Sequence, residues 1–368
     1  MNEFKNRVFG CAIVKAINAN YNADFSGQPR TLPSGTIYAT DKTFKFAVKN
    51  YLKDVYPDVK ILGIKRYNPQ KEFVPFSLVE AFCNMFPDLM EMAQKKPKRD
   101  AKNGKKNEDD DSEETSEVMK LKATKKDVAK SLLSCFDART FGFTFAGKAE
   151  KKEDNISISI HGPVQIIYGV NLWEKAQKYS DQIMSPFRNP DVRSEDKQAT
   201  SLGRQSRLDE GHYLHHFSVN PQNLRDIVKM AGEGCQTLSD DDINRLKEAM
   251  RRGVTWYDST SKAGCENEIL VWVQLKEKSK IVLPNFTSLI TLKDAKEDGK
   301  CVYDFSQLKT ILENNINEID SVELYFNEQT CQIVSFLMDN NKQQQGTNPS
   351  IDSNNKNTLA EKIKKYNL

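Results

Sequence analysis

Three of the chain's four histidines, His212, His215 and His216, fall in the run Gly211-His212-Tyr213-Leu214-His215-His216-Phe217, where a metal or acid–base centre is first sought. The run alternates as a strand, with Tyr213, His215, Phe217 and Val219 on one face, so His215 and His216 point to opposite sides. One strand cannot bring those two neighbours onto one ion, and no Asp/Glu/Cys cluster at ligand spacing accompanies them in the sequence. They read as structural histidines. His161, ending a strand beside Gly162, sits at a sheet rim and is the better candidate for chemistry. Nucleotide-binding loops of the Gly-x-x-x-x-Gly-Lys-[Ser/Thr] or Gly-x-Gly-x-x-Gly kind are missing, as is a Gly-x-Ser-x-Gly elbow. Asp240-Asp241-Asp242 is explained by helix capping and not by a two-metal site. The expectation is therefore no catalytic residue, no metal and no cofactor.

Cations offer more. Leu238-Ser239-Asp240-Asp241-Asp242-Ile243 starts a helix, with Ser239 as N-cap, Asp242 completing a capping box and Leu238 stapling onto Ile243. Ile243, Leu246 and Met250 share its buried face. Arg251 and Arg252 sit at its far end, where they suit the helix dipole or reach outward to an anion, and Gly253 is expected to stop it. Asp258-Ser259-Thr260-Ser261-Lys262-Ala263-Gly264 then forms a loop of hydroxyls and one ammonium, feeding the strand Ile269–Val273. A second helix, capped by Thr40 and running from Asp41 to about Lys53, buries Phe44, Val48, Tyr51 and Leu52 and turns out Lys42, Lys45, Lys49 and Lys53. Such a stripe either tracks a phosphate backbone or merely solvates a helix.

The elements that position these groups come from a chain of 368 residues, long enough for one large domain with insertions or for two domains. Its 38% hydrophobic and 29% charged residues fit a soluble protein with polar inserts. No apolar run reaches membrane-span length and Met1-Asn2-Glu3-Phe4-Lys5 lacks a signal-peptide core, which points to the cytoplasm and no membrane partner. The 7 scattered cysteines read as reduced, mostly buried thiols. A net charge of +3 announces nothing by itself, because phosphate affinity follows local cation density.

Val8–Val14 is an apolar run suited to a central strand, followed by an Asn/Gly/Pro-rich loop holding Arg30. A short strand at Ile61–Ile64 and an amphipathic helix over Phe76–Met92 come next. Lysines and then acids fill 95–117, a stretch that buries no core and reads as disordered. The sheet is expected to resume with Phe136–Ala146 and Ile156–Ile160. From Trp173 to Asp209 the pattern is irregular and basic, with Arg188, Arg193, Lys197, Arg204 and Arg207, and reads as a protruding arm. Met184 and Phe187 form its apolar cluster, either a wedge between bases or an anchor onto its own domain. A helix over about Ser306–Asn315 and a strand Val322–Phe326 precede a Gln/Asn-rich tail at 340–357 and a terminal basic helical piece at Leu359–Tyr366.

Taken in order, Asp137-Ala138-Arg139-Thr140-Phe141-Gly142, Gly162-Pro163-Val164-Gln165, Asn220-Pro221 after an aromatic strand, Leu238–Asp242 and Ser261-Lys262-Ala263-Gly264 form an ordered set. With about Arg7–Arg66 and Phe136–Pro284, they resemble the backbone subunit of the CRISPR Cascade effector, most closely its type I-B and I-C branch. Where that family often has Asn-Pro-Asn-Gly-Asp, this chain has Asn18-Ala19-Asn20-Tyr21-Asn22-Ala23-Asp24.

The resemblance implies an α+β fold with a modified ferredoxin-like, RNA-recognition-motif-type palm (1–66, 131–179 and 212–335). It adds a helical fingers insert at 67–130 holding the charged linker, a thumb hairpin at 180–211, and a flexible polar tail at 336–368. It implies a noncatalytic subunit that oligomerises along the spacer of a CRISPR RNA and supports guide pairing with target DNA. Its partners would be CRISPR RNA, the target DNA strand, further copies of itself, other Cascade subunits and a recruited nuclease-helicase. The expected RNA contacts are Arg30, Lys42, Lys45, Lys49, Arg139, His161, Gln165, Arg204, Arg207, Ser261 and Lys262, with Met184 and Phe187 as the thumb wedge. A guide-processing endoribonuclease and a monomeric RNA-binding module are the alternatives.

Overall fold

The computed structural model describes residues 2–69, 71–94, 117–147, 155–184, 202–334 and 358–368. The chain forms two compact units, one of Met1–Asp58, Pro163–Gln222 and Leu238–Leu368, the other of Val59–Gly162 and Asn223–Thr237. Residues 131–162, expected in the palm, thus belong with the insert. Arg188, Arg193, Lys197, Phe187 and the runs 95–116 and 340–357 lie outside the described residues.

The first unit is built on a strand whose first seven residues are all buried. Every residue of Val8–Val14 is buried, and the strand it starts, β1 (Val8–Ala19), is paired on both edges. A run with no polar alternation requires cover on both faces. Helices α1 (Asp41–Val55) and α2 (Asp240–Trp256) accompany strands β2 (Val164–Ile166), β3 (Leu202–Val219), β4 (Cys265–Leu275), β5 (Ile319–Phe326) and β6 (Ile363–Tyr366). The order across the sheet is β6-β5-β4-β1-β3, with β2 on the far side of β3. Neighbours are antiparallel except β5 and β6, which run parallel. Gly169–Asn171 and Lys178–Met184 also pair with β3, the latter as the second strand of the arm.

One apolar face, with Phe9, Cys11, Ile13, Leu214, Ile269 and Val271, is closed by Phe286, Tyr303, Phe305, Leu308 and Leu312 from the C-terminal part. Ser239 caps α2 with the expected reciprocal bonds to Asp242. The helix does not stop at Gly253, however, and runs on to Trp256. Gly253 is where α1 passes: a Cβ there would lie 2.9 Å from the Ala47 carbonyl oxygen, so the glycine serves helix crossing and not termination. Leu359–Tyr366, read as a helical piece ending a flexible tail, is helical over Leu359–Lys362 and then forms β6, whose Tyr366 ring stacks on Tyr325 at 4.8 Å.

In the second unit, Ser77 and Thr124 form capping boxes with Glu80 and Asp127 at the starts of Leu78–Met85 and Lys125–Ser134. The expected helix over Phe76–Met92 is therefore shorter, and Met90–Gln94 is instead a strand paired with Glu117–Leu121. Phe136–Ala146 is not one strand: Phe136–Phe141 is helical, and Gly142–Gly147 then pairs with Ile156–His161. The helix wins because the Asp137 carboxylate, 3% exposed, accepts the backbone N–H groups of Leu62 and Gly63 at 2.9 and 2.7 Å. Those bonds keep Ile61–Ile64 irregular in place of the expected strand.

Gly10 lies opposite Phe217 of β3 and Trp272 of β4, whose rings stand 5.4 Å apart. A Cβ at Gly10 would come within 2.3 Å of the Phe217 ring and 2.2 Å of the Val271 carbonyl oxygen. Gly10→Ala is expected to cost roughly 3 kcal/mol through overpacking, read as a lower midpoint in urea unfolding at unchanged slope.

Candidate nucleic-acid interface

Where β1 leaves the sheet, its backbone loses its neighbours and needs new partners. Asn18 turns the chain with φ +49. Its carbonyl accepts from Arg207 Nη1 at 2.9 Å, and its side-chain oxygen accepts from the Tyr179 hydroxyl at 3.1 Å. Asn20 N–H donates to the Ser261 carbonyl at 2.7 Å, while its amide donates to the Ser206 and Gly27 carbonyls, each at 3.0 Å. The Lys262 ammonium donates to the Tyr21 carbonyl. Asn22 Oδ1 accepts from Thr40 N–H at 2.8 Å and from its hydroxyl at 3.0 Å, fixing the start of α1. Three asparagines thus gather the arm's base, the Ser261–Lys262 loop and α1 at one end of the sheet.

Several expected contacts lie on this assembly. Lys42 is exposed in the first turn of α1, Lys45 is ion-paired to Asp41 at 2.9 Å, and Lys49 is half-buried. Arg30 donates to the Ala23 carbonyl at 3.0 Å and lies 5.9 Å from the Phe25 ring. Arg204 is exposed on the arm opposite Gln182, and Met184, 65% exposed, ends the described part of the facing strand. Gln165 is at the β2 edge opposite Ser218.

Other assignments change. Lys262 is mostly buried, and burial lowers its pKa from the usual lysine value, so its first task is to hold the Tyr21 loop. Arg207 likewise braces Asn18. Arg252 pairs with Glu248 of its own helix at 3.1 Å, and Arg251 lies over Tyr325. Arg139 and His161 belong to the second unit. Arg139 is 6% exposed and donates to the Leu133 carbonyl at 2.6 Å, so it props its own fold; His161 is exposed at a strand end.

Asn18, Asn20 and Asn22 went unassigned in the sequence, although three asparagines directly after an apolar strand mark a backbone in need of partners. Phe25 was also missed. Its loop is closed by the Asp24 carboxylate, which accepts Ser26 N–H at 2.8 Å and Gln28 N–H at 2.9 Å, leaving the phenyl ring fully exposed.

The histidines divide as the alternation requires. His215 is fully buried, stacked on Phe44 at 5.0 Å, with Nδ1 at 3.0 Å from the Ile167 carbonyl oxygen. His216, on the other face, accepts from Phe286 N–H at 3.3 Å. Burial lowers both to about 4, so neither is a cation at neutral pH. No Asp/Glu/Cys cluster at ligand spacing was expected beside these residues in sequence; in space Glu210, Glu268 and Cys301 surround His212.

A sequence model of the family described as CRISPR-associated protein Cas7 matches residues 6–313. The chain belongs to this Cas7 family. No curated protein matches it. Among solved structures it is similar to a chain of a CRISPR RNA-guided surveillance complex in a pre-nicking state, at 12% identity and a TM-score of 0.46, covering 98% of this chain and 96% of that one. Another such surveillance complex matches at 11% identity and a TM-score of 0.39, covering 97% of this chain and 94% of that one. Among the described residues of this Cas7 protein, no helix is long and apolar enough to cross a membrane.

Because His215 and His216 have folded pKa values below the unfolded value near 6.5, the unfolded chain takes up protons that the folded chain refuses as pH falls. Their stabilisation is complete above about 6.5 and lost toward about 4. In the metal-free chain His212, which burial would lower but Glu268 and its other neighbours raise to about 11, is charged in both states below 6.5 and adds no slope there. Urea midpoints should therefore fall between pH 6.5 and 4.5, and His215→Gln should remove about half of that slope.

Proposed function

We propose that this Cas7 protein is the noncatalytic, CRISPR RNA-binding backbone subunit of a type I Cascade surveillance complex of the I-B or I-C branch. Copies stack along the guide spacer in the cytoplasm, present the guide to a target DNA strand, and leave cleavage to a recruited nuclease-helicase. The observation that carries this reading is the family match over residues 6–313. The sheet agrees with it: β4-β1-β3-β2, with α1 between β1 and β2 and α2 between β3 and β4, is the antiparallel order of a ferredoxin-like palm. A protein that must accept every spacer binds phosphate, sugar and shape and leaves sequence to base pairing.

Within this reading Lys42, Lys45, Lys49, Arg30 and Arg204 neutralise phosphates, and Gln165 contributes a polar contact. Lys262 and Arg207 hold the loop that presents backbone groups and the Ser261 hydroxyl. Phe25 offers a bare ring for a base to stack on, and Met184 stands toward the arm's tip as a wedge. The arm's Lys178–Met184 and Leu202–Leu208 strands supply the thumb hairpin.

Co-expression with CRISPR RNAs of increasing spacer length should yield complexes whose protein copy number rises with length by native mass spectrometry. A fixed one-to-one complex, or cutting of repeat RNA by the purified chain, contradicts the proposal. Lys42, Lys45 and Lys49 changed together to Ala should weaken RNA binding and reduce the salt slope by about 2, at roughly 0.7 per lost phosphate contact on a single strand. Circular dichroism should be unchanged, because none of the three belongs to the apolar face of α1 formed by Phe44, Ala47, Val48, Tyr51 and Leu52.

A further inference from the structure

His212, Glu210, Glu268, Cys301 and Tyr303 meet in the first unit, where the base of the arm runs beside the strand Cys301–Asp304. His212 is fully buried, and its Nδ1 lies 2.6 Å from Glu268 Oε2 and 2.8 Å from the Tyr303 hydroxyl. The Tyr303 hydroxyl donates to the same carboxylate oxygen at 2.5 Å. A buried carboxylate against Nδ1 places a hydrogen on that nitrogen and fixes the tautomer. Nε2 then faces Glu210 Oε1 at 3.1 Å and Cys301 Sγ at 3.8 Å.

Nitrogen and carboxylate lone pairs do not approach this closely without a cation between them. A proton on Nε2 is one such cation: burial opposes it, but Glu268 and the neighbours push the His212 pKa up to about 11. A proton satisfies Glu210 and can be shared with the Cys301 sulfur, so it is the alternative that the test must separate from a metal. Three donors of three different kinds, all within 4.8 Å of one another, are what a metal needs. With zinc–nitrogen and zinc–sulfur bonds of about 2.0–2.3 Å in a tetrahedron, ligand atoms stand about 3.3–3.6 Å apart, close to the separations from Nε2 found here. A second observation agrees. Glu268 Oε1 is buried without a hydrogen-bond donor, and Lys15, the cation whose field reaches Glu268 and Cys301, is itself paired with Glu266 at 3.1 Å, so a dication would offset the anionic charge that remains.

We propose that Glu210, His212 and Cys301 hold a zinc ion, with Glu268 and Tyr303 orienting the His212 ring. The thiolate favours zinc over magnesium or calcium. Glu210, whose side chain is 16% exposed, leaves a fourth position for water on the solvent side. Lys296, 2.8 Å from Glu210 Oε1 and partly exposed, is the cation that zinc displaces there. The role is structural: the ion pins β3, just where it extends into the arm, to the strand Cys301–Asp304, and holds the arm's base at a fixed angle to that strand.

The test uses the full chain, saturated with zinc and desalted, with metal content measured by mass spectrometry. About one zinc per chain is expected, and Cys301→Ser and Glu210→Gln, each close in size to the native residue, should retain less than a tenth of it. Cobalt(II) in place of zinc should give a thiolate charge-transfer band that Cys301→Ser abolishes while circular dichroism stays native. A wild-type chain that holds no metal, or variants that hold it as well as wild type, overturns the site and leaves a proton alone on His212. These readouts need no RNA, so they stand apart from the guide-binding reading.

Discussion

The whole first unit depends on β1 being covered on both faces and paired on both edges. Such a strand contributes little to solvent before Asn18 near its end, and burial of neighbours such as Trp272 and Phe217 is worth roughly 2–3 kcal/mol each. Its position also decides where the chain can do anything else. Within most of the strand the backbone is bonded to two neighbours; toward its end that pairing runs out, and the residues there must recruit partners from wherever the chain returns. Asn18, Asn20 and Asn22 do so by taking the arm base, the Ser261 loop and the start of α1 as those partners. The candidate interface is therefore a consequence of terminating a buried strand.

Much of this was legible in the sequence because local physics dominates there. The Ser239–Asp242 capping box, the apolar stripe of α1, the Ile156–Ile160 alternation and the strand Val322–Phe326 all carry their own period or cap. The failures share one cause, a distant partner. Asp137 reaches the amides of Leu62 and Gly63, which makes a helix of a run that reads as strand. Gly253 looks like a stop signal only until α1 is placed against it. Arg139 has the right charge for a phosphate and the wrong burial, because the Leu133 carbonyl needs its guanidinium. The tail piece Ile363–Tyr366 gains its strand state from the β5 edge, which no local pattern announces.

Charge tells a similar story at the candidate site. A cation in sequence is free to meet a phosphate; in the fold it is first offered the nearest carbonyl or carboxylate. Lys262 goes to Tyr21, Arg207 to Asn18, Arg252 to Glu248 and Lys45 to Asp41. An exposed pair such as Arg252–Glu248 is worth at most about 1 kcal/mol and is screened by salt, so it yields readily to a polyanion, whereas Lys45, its side chain 17% exposed, is held more firmly. The desolvated Lys262 does not yield. Cations at this site therefore divide into those that shape the loop and those that remain available to exchange partners, a division set by burial and not by residue type.

The histidines show how far one strand can separate chemistry. Alternation along β3 sends His215 inward under α1, where burial strips it of charge, and sends His212 to the opposite face, where two carboxylates insist on a cation. The reading of a single strand was right that neighbouring histidines cannot share an ion. It was incomplete because ligands for one of them come from two residues away, Glu210, and from a strand that arrives about ninety residues later with Cys301. A site completed across strands leaves no spacing signature, whereas Cys-x-x-Cys does. Its placement at the base of the arm follows from the length of β3, which pairs with β1 over Leu208–Val219 and with Lys178–Met184 over Leu202–Leu208.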